Sequence, residues 1–210
     1  MFPALYAILD PEVAPLPLAA VAGRLFDAGV QLMQLRDKRS SAAQLYSQAS
    51  ELQALSLARG GRFILNDRPD IAAMTGCGGV HVGQEDLPPE DARRICGPSR
   101  WVGVSTHNLE QLREADLTSV DYIAVGPIFP TATKANPDPV VGLEFLRAAR
   151  GLTRKPLVAI GGIAIASAAD VFRAGADSIA VIRDLLAAPD QGKRAREFLA
   201  IAERSRTVRD

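Results

Sequence analysis

The sequence predicts an α/β fold, a single (β/α)8 barrel of the TIM type, and three observations carry that expectation. Short β-branched, apolar runs alternate with longer amphipathic stretches along the whole chain, which demands parallel pairing through right-handed crossovers. The short runs are continuously apolar, as strands covered on both faces are. Eight of them can be counted, which favours a closed barrel over an open doubly wound sheet, and 210 residues lies at the short end of the ~200–400 that such barrels occupy. No linker or shift in composition divides the chain, so residues 1–210 are read as one domain.

The strand candidates, in order, are residues 5–10 (LYAILD), 30–35 (VQLMQL), 62–66 (RFILN), 79–82 (GVHV), 101–105 (WVGVS), 121–126 (DYIAVG), 157–162 (LVAIGG) and 178–182 (SIAVI). Between them, residues 18–29 carry apolar positions at helical spacing and stop at Gly29. The stretch from Ser41 opens on an N-cap residue and closes on Gly60 and Gly61. Residues 108–115 and 167–176 repeat the scheme, starting on Asn108 and Ser167, and a last helix is expected over 191–204.

Composition narrows the function. Lys+Arg and Asp+Glu both number 24, so the chain lacks the basic excess that nucleic-acid or membrane partners call for. No apolar run approaches the ~20 residues of a membrane span, and the start of the chain lacks the basic n-region of a secretory leader. Cys77 and Cys96, the only cysteines, have no metal-ligand spacing, look inert, and favour a reducing compartment. The expected location is cytoplasmic, with small-molecule partners and a homo-oligomer left open.

The polar residues cluster where the strands end. The second strand runs into Gln34, Arg36 and Lys38; the third into Asn66 and Asp67; the fourth contains His81 and is followed by Gln84, Glu85 and Asp86. The fifth ends at Ser105 with Thr106, His107 and Asn108 behind it, the seventh at Gly161-Gly162, and the eighth reaches Arg183. In a parallel barrel these ends open on one face, where active sites lie. Each group also has a plainer explanation. Arg36 and Lys38 suit a polyanion, or form a solvated strand end. Asp67 and Asp86 suit Mg²⁺ held beside substrate phosphates, or Asn66-Asp67 and Asp86 cap the following helices. His81 reads as a satisfied core residue, and His107 as a helix start. Gly161-Gly162 is a tight turn, or brings backbone N–H groups to a phosphate. After the sixth strand, GPIFPTATK puts Thr131, Thr133 and Lys134 on a proline-stiffened loop. Together they describe two anion sites, one charged and metal-assisted near strands two to four, the other of backbone and hydroxyls near strands six to eight.

The ordered set QLRDK, NDRPDIA, GVHVGQEDLP, GVSTHN, GPIFPTATK and IGGI, between about Leu5 and Leu186, resembles the thiamine-phosphate synthase (thiamine-phosphate pyrophosphorylase) family. The resemblance implies a transferase of thiamine biosynthesis that joins 4-amino-2-methyl-5-hydroxymethylpyrimidine diphosphate to a thiazole phosphate, giving thiamine phosphate and pyrophosphate. By that likeness Gln34, Leu35, Arg36, Asp37, Lys38, Asn66, Ser105 and Lys134 hold the pyrimidine diphosphate, with Arg36, Lys38, Ser105 and Lys134 acting in catalysis. Asp67 and Asp86 carry Mg²⁺, the implied cofactor. Thr131, Thr133, Gly162, Ile182 and Arg183 bind the thiazole phosphate. Arg183 stands where the family usually has serine, so it either replaces a phosphate contact or swings away.

Three other readings compete. A related thiazole tautomerase would need neither a diphosphate site nor a metal, and the Arg36/Lys38 and Asp67/Asp86 sets argue against it. Another phosphate-binding barrel isomerase rests on Gly161-Gly162 alone. A non-catalytic vitamin-binding barrel would tolerate loss of the carboxylates, which are present.

Overall fold

The computed structural model describes residues 1–131 and 138–207, with side chains up to residue 205. Its strands β1 (Leu5–Leu9), β2 (Leu32–Leu35), β3 (Arg62–Asn66), β4 (Gly79–Val82), β5 (Trp101–Thr106), β6 (Tyr122–Val125), β7 (Leu157–Ile160) and β8 (Ser178–Val181) all pair in parallel with their neighbours in sequence. The pairing of β8 with β1 closes the barrel. The helices are α1 (Leu18–Asp27), α2 (Ala42–Ala58), α3 (Pro69–Thr75), α4 (Pro89–Cys96), α5 (Leu109–Asp116), α6 (Gly142–Leu152), α7 (Ile165–Arg173), α8 (Arg183–Leu186) and α9 (Gln191–Thr207). The last of these packs against α7 and α1 and seals the ring beside the β8–β1 seam.

Strand periodicity splits the core into two layers. Residues such as Ala7, Leu9, Met33, Leu35, Phe63 and Leu65 point outward and pack under the helices. Tyr6, Ile8, Leu32, Ile64, Tyr122, Ala124, Val158 and Ala180 point inward and fill the barrel. One consequence concerns Leu35: its side chain lies in the outer layer, so only its backbone can serve the mouth.

Two helix starts match the sequence. Ser41 and Gln44 form a reciprocal capping box on α2, and Asn108 Oδ1 accepts the Gln111 N–H at 2.9 Å. Ser167 does not cap α7, which begins at Ile165; Ser167 sits one turn in, bonded back to Ala164. The earlier start has a tertiary cause, because Asp184 Oδ2 accepts the Ile165 N–H at 2.8 Å and takes over the capping role. Strand β2 also begins later than the apolar run suggests, since the Val30 N–H is bonded to the Leu25 carbonyl at the end of α1.

Candidate active site

The mouth is built from β1 to β5 on one side. In the β1–β2 register Ile8 faces Gln34 and Leu9 faces Leu35, so the next residues, Asp10 and Arg36, fall side by side. Arg36 Nη1 donates to Asp10 Oδ2 at 2.8 Å, and Asp10 is only 2% exposed. A buried carboxylate of this kind needs a charged partner, and in return it fixes where the guanidinium points. Sequence reasoning missed Asp10, although the signal was available: it is the polar residue ending the one strand for which no mouth residue was singled out. Asp37 turns its carboxylate to its own loop, accepting the Arg39 and Ser40 N–H groups at 2.9 Å each.

Lys38 Nζ is ion-paired with Asp67 Oδ2. Asp67 has φ +62, a left-handed conformation that costs free energy for any residue but glycine and is commonest for Asn and Asp. Its N–H donates to the His81 carbonyl at 2.8 Å, so the turn is anchored to β4. It does not cap α3, whose N-cap is Arg68 without a side-chain bond. Nor does Asp86 cap α4: its Oδ2 accepts the Gly83 N–H at 2.8 Å and closes the turn after β4.

Burial pushes the Asp67 carboxyl above its ordinary value; the adjoining Asp86 adds to that, and Lys38 opposes it. Two crowded carboxylates are relieved by a divalent cation, and their oxygens are the hard donors that Mg²⁺ takes. Among the described residues no cluster of three or more His, Cys, Asp or Glu forms a metal cage. A pair that leaves other positions to substrate oxygens and water is the arrangement Mg²⁺ favours, so the residues fit the ion.

Beneath the charges lies a polar chain across the barrel. Gln34 Nε2 donates to the Tyr6 hydroxyl at 2.7 Å, and Tyr6 and Tyr122 share a hydroxyl bond of 2.9 Å. His81 Nδ1 is 3.1 Å from the Tyr122 hydroxyl, and His81 Nε2 is 2.9 Å from Ser105 Oγ. Gly103 is what lets Tyr122 reach the axis, because a Cβ at that position would sit 2.0 Å from the ring. Burial pushes both phenols well above their ordinary range. It also lowers His81 to about 4, against a smaller opposing pull from Asp86, so the imidazole is neutral at physiological pH. His81 is a satisfied core residue, as expected, and it also touches Ser105.

Among the described residues, the side formed by β6 to β8 is built mainly of backbone. Ile128 and Phe129 donate to the carbonyls of Ile160 and Gly161 at 2.9 and 3.0 Å, carrying the β6–β7 ladder past the strand ends. Gly161 and Gly162 have φ +97 and +63, and a Cβ on Gly162 would lie 2.4 Å from the Pro130 carbonyl. Glycine is required there because the loop after β6 rests on it. His107 donates from Nδ1 to the Gly126 carbonyl at 2.6 Å, and its Nε2 is 3.5 Å from Asp138. Thr131 is half-buried at the end of this described segment. Thr133 and Lys134 lie outside the described residues. Ile182 precedes α8 and accepts the Leu186 N–H at 2.8 Å, while Arg183 opens that helix with its side chain exposed. Cys77 and Cys96 are buried free thiols whose pKa values burial raises, Cys77 to about 11.

A profile of the thiamine monophosphate synthase family matches residues 5–185. The chain belongs to that family. The thiamine-phosphate synthase of Koribacter versatilis is 53% identical over 204 residues, 95% of each chain. That of Methanospirillum hungatei is 42% identical, over 92% of this chain and 95% of its own. The solved structure of thiamine phosphate pyrophosphorylase from Pyrococcus furiosus superposes with a TM-score of 0.88 at 33% identity, covering 96% of both chains. The activity is thiamine-phosphate synthesis, a group transfer between small molecules in thiamine biosynthesis. Among the described residues no helix is long and apolar enough to cross a membrane.

Proposed function

We propose that the mouth joins a pyrimidinylmethyl diphosphate to a thiazole phosphate, with the charged side holding the diphosphate and the backbone side holding the thiazole phosphate. The supporting observation is the meeting of Arg36, Lys38, Asp67 and Asp86 at the ends of the neighbouring strands β2, β3 and β4. Gln34, Asn66 and the β2 backbone at Leu35 line the pyrimidine end, and Asp37 shapes the loop that presents Lys38. The C–O bond of the diphosphate ester breaks with its electron pair going to the leaving oxygen. Arg36, Lys38 and Lys134 stabilise the charge that grows there, an electrostatic role that usually dominates such steps. Ser105 donates a hydrogen bond to the departing group. Asp67 and Asp86 would hold Mg²⁺, which when bound supplies further neutralisation of the diphosphate.

The thiazole nitrogen carries no proton, so its lone pair closes the new C–N bond without a general base. It needs only to be held in line, which is a proximity effect. Thr131, Thr133, Gly162 and the Ile182-Arg183 backbone would grip its phosphate. This chemistry accounts for a mouth rich in cations whose one buried imidazole is kept neutral.

The decisive experiment incubates the protein with both substrates and Mg²⁺ and follows thiamine phosphate and pyrophosphate. Equimolar formation of the two, dependent on each substrate, is expected. No product beside an active control synthase would overturn the reading.

A further inference from the structure

The hydrogen bonds inside the barrel have a direction. The Gln34 Nε2 amide has only protons to offer, so the Tyr6 oxygen accepts. The Tyr6 proton then goes to the Tyr122 oxygen, and the Tyr122 proton to His81 Nδ1. An imidazole that accepts at Nδ1 carries its proton on Nε2, where it donates to Ser105 Oγ. The reverse direction would have Tyr6 accept from both Gln34 and Tyr122, leaving the buried Tyr6 proton without an acceptor in the chain. A buried donor left unmet costs free energy, and the forward direction meets every group.

We propose that Tyr6, Tyr122 and His81 are positioning residues that act as one relay. They hold His81 as the Nε2–H tautomer, so Ser105 receives a hydrogen bond from below and turns its own proton to the mouth. There it is aimed at the leaving diphosphate before the substrate arrives. The relay begins at Gln34, which shares the β2 face with Arg36, so one end of the pocket sets the hydroxyl at the other. No proton need travel along the chain; its function is orientation. The proposal rests on the reading of Ser105 as a donor to the leaving group.

The two parts can be tested apart in the full-length enzyme. Imidazole ¹⁵N spectra report tautomers directly, and the chain has only two histidines. His107, which donates from Nδ1 to a carbonyl, is expected to show a proton on Nδ1 and serves as an internal reference. His81 should carry its proton on Nε2, and Tyr122→Phe should abolish that preference. An Nδ1–H tautomer at His81 in the unaltered protein overturns the relay. In kinetics, Tyr122→Phe should lower kcat about tenfold, less than the ~10²–10³ of deleting a donor outright, with KM for the pyrimidine diphosphate nearly unchanged. In a Ser105→Ala background the same substitution should add almost nothing; the full factor there would show that Tyr122 does not act through Ser105. Tyr6→Phe, at the other end of the relay, should repeat the split, which separates the effect from local misfolding at either tyrosine. If Ser105→Ala alone keeps the unaltered kcat, the donor reading of Ser105 falls and takes the proposal with it, even with the tautomer as stated.

Discussion

The two sides of the mouth are made of different material. From β1 to β5 the features are paired side chains: Arg36 on Asp10, Lys38 on Asp67, and Asp86 on the Gly83 N–H. From β6 to β8 they are backbone contacts, with the loop after β6 lying on Gly161 and Gly162. The difference teaches where each side is vulnerable. The Lys38, Asp67 and Asp86 charges can be deleted from the first side with the barrel intact, because the strands below are held by apolar layers that do not include them. Among the described residues the second side is shaped mainly by backbone, so it changes most when the backbone is forced to move.

The largest separation should come from the carboxylates. Asp67→Asn and Asp86→Asn should each reduce kcat by about 10²–10³, with only partial recovery in excess Mg²⁺. Stability should move the other way. The fold raises the Asp67 carboxyl, so the ionised group penalises the native state above its native pKa, and the penalty fades as pH falls and the group protonates. At neutral pH Asp67→Asn should therefore melt no lower than the unaltered protein. Mg²⁺ should raise the melting temperature of the unaltered protein and not of either variant. Unaltered turnover in both variants without added metal would remove the metal assignment.

A smaller effect of the opposite kind is expected at Gly162. A Cβ there meets the Pro130 carbonyl at 2.4 Å and Phe129 Cβ at 2.8 Å, at φ +63. Gly162→Ala should cost about 1–3 kcal/mol of stability and raise KM for the thiazole phosphate, leaving KM for the pyrimidine diphosphate nearly unchanged. Denaturant melts and separate substrate titrations would show it. An unchanged midpoint would mean that the loop does not bear on Gly162 in solution.

The same contrast decides how much was legible in the sequence. Alternating apolar and amphipathic runs expose the barrel, since both periods are local. Arg36, Lys38, Asp67 and Asp86 are legible too, because polar residues at the ends of apolar strands stand out one by one. The two tyrosine hydroxyls are not, because their roles exist only across strands: Tyr6 and Tyr122 are 116 residues apart and meet because the barrel closes. The capping role of Asp184 at the start of α7 escapes for the same reason, and with it the true first residue of that helix. What a residue is can be read along the chain; what it touches across the barrel cannot.

Arg183 tests the division at its finest. The family resemblance leaves two roles open for an arginine in place of serine: a cationic phosphate contact, or a side chain turned away while the backbone binds. Its side chain is exposed, and the neighbouring Asp184 is occupied with the Ile165 N–H and Arg194. If the second side of the mouth works through backbone, Arg183→Ala should change KM for the thiazole phosphate by no more than about twofold, since an exposed charge is well screened. A loss of tenfold or more, weakening with added salt, would put a charged side chain on that side after all. Recognition of the thiazole phosphate would then rest on a charge at β8 as well as on backbone and hydroxyls.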